Sequence, residues 1–206
     1  MAESEQRQNG FAIAVIVEGG LALVAMIVAS MFRVPLREQI PASGEQLAYA
    51  ALRGILVTLP MFAVFLWLVH SSWATLRDLR QQVEWLVAEM FPSASLGQFA
   101  LVALLAGVGE ELLFRGVIQS LAGKWTTPLV GLIITSLLFG AAHALTKLYF
   151  FLATAIGLCF GALVLQYNDL VAPMVAHSLY DFFALTYLSR RLRLSGDTAP
   201  PPHELP

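Results

Sequence analysis

The chain has 206 residues, of which 58% are hydrophobic and 13% charged, with a formal net charge of -2 and a mean hydropathy of +0.72. Soluble domains are about 45–50% apolar and about 25% charged, so this composition excludes an ordinary soluble domain and points to an integral membrane protein. The length suits one domain of several spans of about 20 residues each, and a near-neutral charge without a long basic block excludes nucleic acid as a partner.

The first apolar segment runs from Phe11 to Phe32 behind a short polar head without clustered positive charge, and reads as a retained helix rather than a signal peptide. A loop with Pro35, Pro41 and Gly44 separates it from a second span, from about Leu47 to Val69. From Ser71 to Phe91 the pattern changes: Trp73, Leu76, Leu79, Val83, Leu86, Val87 and Met90 recur at helical spacing among charged residues, as in an interfacial amphipathic helix. Ser95 is placed to cap a long helix starting near Leu96, and further spans are expected over Pro128–Leu145, Leu148–Tyr167 and Leu170–Leu188, with turns at Thr146-Lys147 and Asn168-Asp169. The fold class expected is therefore all-α: a polytopic transmembrane helical bundle of about six spans plus one interfacial amphipathic helix. Residues 1–194 form a single membrane-embedded domain, with a catalytic core at about 96–188, and 195–206 read as a disordered tail. Six spans put both termini on one side, which collects Arg7, Arg77, Arg80, Lys147, Arg190, Arg191 and Arg193, so that side is expected to be cytoplasmic.

Ionisable residues at membrane depth mark a functional site. Glu110, Glu111 and Arg115 lie in the apolar stretch Leu101–Leu121, His143 lies near the end of the fourth span, and His177 and Asp181 sit in the sixth. Successive helical residues are about 100° apart, so Glu110 and Glu111 point different ways, whereas Glu111 and Arg115, at i and i+4, make a pair. That frees Glu110 for general-base work in apolar surroundings. His177 and Asp181 have the same spacing, which lets the carboxylate fix the imidazole tautomer. Two chemistries fit: a glutamate activating water beside polarising histidines, or Glu110, His143 and His177 as ligands of a divalent metal such as zinc. The residues leave open whether a metal takes part.

The runs Glu110-Glu111-Leu-Leu-Phe-Arg115-Gly116, Phe139-Gly-Ala-Ala-His143 and Pro173-Met-Val-Ala-His177-Ser-Leu-Tyr-Asp181 follow one another on consecutive helices. In that order they resemble the CPBP (Abi) family of intramembrane proteases, which includes the CAAX prenyl endopeptidase. The resemblance covers roughly Leu96 to Leu188. It implies that Glu110 activates water, that Glu111 and Arg115 support it, that His143 shares the water, and that His177 helps stabilise the oxyanion. The last motif position is usually asparagine in that family, and this chain has Asp181, an acceptor-only group when ionised. Asp181 can orient His177, carry a proton, or bind a metal.

The function expected is hydrolysis of a peptide bond in a membrane-associated or lipid-modified protein, in a cavity between the third, fourth and sixth spans. The rival is a non-catalytic membrane protein of the same fold that binds a peptide or partner, such as an immunity or regulatory factor. A carrier is disfavoured because the chain lacks paired Gly/Pro-broken spans in two similar halves. The lipid bilayer and a membrane protein or peptide substrate are the partners implied, and oligomeric state is not legible. His143 is hard to place, since it falls near the cytoplasmic end of its span while Glu110 lies about 20 Å into its own. Glu18 is expected to pair with Arg53, the alternative being a place in the cavity as a substrate contact; Gly157 and Gly161 are expected to form a close helix-packing face, and Cys159 to be a small core residue.

Overall fold

The structure, a computed structural model, describes residues 2–195, with side chains described for 10–194. Among these residues there is no strand; eight α-helices make an all-α membrane bundle. The C-terminal tail expected from residue 195 lies outside the described residues, apart from Ser195, which ends the last helix.

Helix α1 spans Ala2–Phe32 and closes on Arg33, whose positive φ of 55° lets Val34 donate to the Ala29 carbonyl at 2.8 Å. A single 3-10 turn, Leu36–Gln39, leads to α2 (Gly44–His70), whose first turn is capped by Ser43. The amphipathic helix α3 (Ala74–Met90) turns Leu76, Leu79 and Val87 inward, and its buried Glu84 accepts from Arg191 at 2.9 Å. The expected cap at Ser95 is present and reciprocated by Gln98, and it starts α4 (Leu96–Glu111). A π-helical segment, Leu112–Gln119, continues α4 without a break into α5 (Ser120–Trp125). Gln39 donates to the Gly116 carbonyl at 3.4 Å within this widened turn.

The remaining helices are α6 (Pro128–Ala142), α7 (Lys147–Tyr167) and α8 (Val171–Ser195). Three segments are long and apolar enough to cross a membrane: Gly10–Phe32, Gly44–His70 and Lys147–Tyr167. Their outer faces carry large apolar residues with nothing over them, such as Ile16 (71% exposed), Leu59 (62%) and Phe151 (66%), the inverse of a soluble surface.

Helix α6 corrects the expected fourth span. It ends at Ala142, three residues before Leu145, because Thr146 caps the next helix and the intervening residues turn. At about 1.5 Å per residue its 15 residues reach only about 22 Å, so His143 sits at the inner end of a short helix. That resolves its mismatch of depth with Glu110.

Glycines set how closely α4 can be approached. A Cβ on Gly107 would lie 2.8 Å from the Ser178 nitrogen and 2.9 Å from the Met174 carbonyl oxygen of α8. One on Gly109 would strike the Glu18 carbonyl oxygen of α1. Both neighbours of α4 are thus drawn in within one turn of the acidic pair.

Asn168, with φ 51°, ends α7, and Asp169 accepts from Ala172 at 2.8 Å in the manner of a helix N-cap. Its other oxygen accepts from Arg53 at 3.3 Å. Replacing Asp169 with Ala removes the cap and should lower stability by about 1–2 kcal/mol, with Asp169→Asn recovering most of it; thermal unfolding in detergent measures both.

Candidate active site

Helix α4 presents the two glutamates in different directions, as their spacing predicted, and the π-helical segment carries Arg115. Glu111 and Arg115 are wholly buried, and Arg115 Nη1 donates to Glu111 Oε1 at 2.9 Å. The second arm of the guanidinium, Nη2, donates to the Gly157 carbonyl of α7 at 3.1 Å, and its face lies 4.2 Å from the centre of the Phe139 ring. Gly157 therefore does more than pack: its bare Cα leaves Arg115 room to reach the backbone. Gly161 likewise accepts from Gln119 at 3.0 Å.

Glu111 Oε1 also meets His177 Nδ1 at 2.9 Å. An ionised Glu111 can only accept, so the proton on that side belongs to His177 Nδ1, and Nε2 faces Asp181 Oδ2 at 3.4 Å. The imidazole stacks on Phe160, with centroids 5.2 Å apart, and meets Phe139 edge-on at 5.9 Å. The rings fix its plane, and Glu111 fixes the proton on Nδ1.

Glu110 faces the other way, with Oε2 lying 3.5 Å from His143 Nε2. His143 Nδ1 is 2.9 Å from the Phe139 carbonyl, an acceptor only, so Nδ1 carries the proton and Nε2 offers its lone pair toward Glu110. Phe139 thus touches Arg115, His143 and His177 together. The structure brings all six expected site residues into one cluster.

Glu18 departs from expectation. Arg53 is engaged by Asp169 and lies 4.0 Å over the Tyr167 ring, while the Glu18 carboxyl lies close enough to Glu110 and Asp181 to interact electrostatically with both. The signal for this placement was present in the small residues Ala14, Ala25 and Ala29, which are buried on the Glu18 side of α1.

A cavity of about 760 Å³ opens from this cluster. His143, His177 and Asp181 line its inner end, and apolar residues of α2, α3, α7 and α8, among them Leu56, Met61, Val83, Leu152 and Leu185, form its walls. This corrects the expected location between the third, fourth and sixth spans. Helix α4 supplies chemistry but no wall, and α6 supplies only His143. Cys159, expected to be a core residue, is half-buried on the cavity wall. Tyr149 and Tyr180, which no sequence pattern singles out, also line the cavity.

The side chains do not fit a metal centre. Among the described residues no three His, Cys, Asp or Glu side chains are grouped to hold one ion, and both nitrogens of His177 already face carboxylates. The geometry instead sets an acidic acceptor, Glu110, beside an imidazole lone pair, at the edge of an apolar cavity.

Residues 92–183 match the family model described as type II CAAX prenyl endopeptidase Rce1-like. This segment is similar to that family. It begins just before α4, ends within α8, and contains all six residues of the cluster. The matched segment leaves out α1, α2 and α3, so Glu18 and two of the cavity walls lie beyond it. The uncharacterized protein YpbD of Bacillus subtilis (strain 168) is similar to this chain, with 35% identity over 96 residues, 45% of this chain and 47% of YpbD. The match spans about half the length of that relative. No solved structure matches the chain.

Proposed function

We propose that the chain is an intramembrane endopeptidase of the CAAX-protease type that hydrolyses a peptide bond of a membrane-associated or lipid-modified protein. The observation that carries this reading is the facing of Glu110 and His143 Nε2 at 3.5 Å beside the cavity. Two acceptors at that separation suit a water that gives one O–H to each. Glu110 takes the proton as the water oxygen attacks the scissile carbonyl, then returns it to the amine as the C–N bond breaks. Glu111, Arg115 and Asp181 hold His177 in place beside the reacting carbonyl.

Both termini are cytoplasmic in this reading, and the six helical rods α1, α2, α4 to α5, α6, α7 and α8 are the membrane segments. The cavity runs from the cluster toward α3, on the side that collects most of the arginines, so substrate enters from the cytoplasmic leaflet. Its walls suit an extended apolar chain better than a polar peptide.

The test compares peptide ends across the membrane proteome of cells carrying the protein with those of cells carrying Glu110→Gln at equal abundance. New ends present only with the unaltered protein support hydrolysis and identify the substrate class. Identical sets of ends beside an unchanged cellular phenotype would sink the reading in favour of a binding protein of the same fold.

A further inference from the structure

One charged side chain of the cavity wall takes no part in the proposed chemistry. Arg80 of α3 lines the cavity, and its side chain is only 17% exposed. Its Nη1 donates at 2.7 Å to the carbonyl of Val69, in the last turn of α2, where helical carbonyls lack a partner of their own. That contact uses one N–H of five. Nε is buried and has no hydrogen-bond partner among the described residues. Glu84 does not balance the charge, because its carboxylate accepts from Arg191 at 2.9 Å and stands 3.9 Å from Arg80 Nε. One anion thus lies between two cations. A guanidinium with an unmet donor in apolar surroundings is costly unless an anionic group meets it.

The place of Arg80 along the cavity follows from α8. His177, Asp181, Ala184, Leu185 and Leu188 line the cavity at helical spacing, so one stripe of that helix runs along it. From His177 to Leu188 the stripe is about 16 Å long, at about 1.5 Å per residue. Arg191 is next on the stripe and holds Glu84, which sets Arg80 at the end remote from the two histidines. An extended peptide covers about 3.3–3.6 Å per residue, so about five residues reach from the site of cleavage to Arg80.

We infer that Arg80 is a specificity-determining residue that binds a carboxylate of the peptide substrate, about five residues from the bond that is cut. This rests on the hydrolytic reading above. Apolar residues of the substrate lie along the α8 stripe. The carboxylate, from an acidic side chain or from the chain terminus, accepts from the Nε–H that Val69 and Glu84 leave open. A lysine would serve the Val69 carbonyl equally well, whereas only the fork of an arginine serves both partners.

The experiment uses the full chain in proteoliposomes and quenched-fluorescent peptides on an apolar host sequence, taken from cut ends in the membrane proteome or, where there are none, built of Leu and Ala. A single Glu is walked outward from the cut on either side of amidated peptides, each paired with its Gln counterpart, and a second set carries the carboxylate as a free terminus at the same distances. With the unaltered protein, KM is expected to be about tenfold lower for Glu than for Gln at about the fifth residue on one side, and about equal next to the cut. Arg80→Gln is expected to bring that ratio below about threefold, and Arg80→Lys to keep part of it. The two peptide sets show whether a side chain or a terminus supplies the carboxylate. If Arg80 only holds the end of α2, Arg80→Gln lowers the unfolding temperature and leaves the ratio as it was, which overturns the assignment. A ratio within about twofold at every position in the unaltered protein overturns it without any variant. Binding of the same pairs to Glu110→Gln, read by fluorescence anisotropy, separates this site from hydrolysis. A Glu preference in binding beside equal cleavage by the unaltered protein and Glu110→Gln removes the hydrolytic reading and keeps the carboxylate site. Cleavage that needs Glu110 but shows no Glu preference removes the site alone.

Discussion

Glu110→Gln is expected to cost about 10²–10⁴-fold in turnover, the usual contribution of a positioned general base, while leaving the fold intact. Glutamine has the shape of glutamate but takes no proton at working pH. The new amide has acceptors at hand, since the His143 Nε2 lone pair and the Glu18 carboxyl both adjoin Glu110. No buried donor is left unpaired, and a site crowded by Glu18, Glu110, Glu111 and Asp181 loses one acid. The unfolding temperature in detergent should therefore hold or rise. Rate and stability measured on the same preparation separate the two effects. A variant that keeps more than about a tenth of the turnover would exclude Glu110 as the base.

Arg115→Leu should act on the fold instead. The guanidinium is fully buried and joins Glu111 of its own rod to the Gly157 carbonyl of α7, with the Phe139 ring of α6 beneath it. Removing one member of a buried ion pair typically costs about 3–5 kcal/mol, because the other charge stays behind uncompensated. Here Glu111 would keep only His177, and the Gly157 carbonyl would lose its donor. Arg115→Lys keeps the charge but gives up the planar fork and the stacking, so it should fall between the two. Denaturant unfolding in detergent measures the series. A leucine variant within about 1 kcal/mol of the unaltered protein would mean that the three helices are held by packing alone.

The division between Glu110 and Glu111 was legible because one helical rod carries both, and angular spacing survives any error in helix boundaries. The same holds for Glu111 with Arg115 and for His177 with Asp181. Relations between helices were harder to read. Pairing Glu18 with Arg53 rested on charge alone, whereas the rotation of α1 about its axis follows the small residues Ala14, Ala25 and Ala29, which share the face of Glu18. Arg53 found Asp169, which looked like a turn residue and also serves as a cap. The end of α6 was misplaced because Ala144 and Leu145 are apolar, and an apolar turn at membrane depth looks like continued helix. The cavity walls were hidden for a further reason: the inward face of α3 reads equally well as a face resting on lipid.

The early end of α6 bears on where the reacting water comes from. A helix of about 22 Å does not match a hydrocarbon layer of about 30 Å, and a bilayer meets such a mismatch by thinning or by admitting solvent at the short end. That end is His143, one of the two groups proposed to hold the water. On the hydrolytic proposal, a bilayer thinned at that end brings bulk water nearer to the site. Turnover in vesicles is then expected to depend on the acyl-chain length of the host lipid, with no contact between lipid and the proposed catalytic side chains.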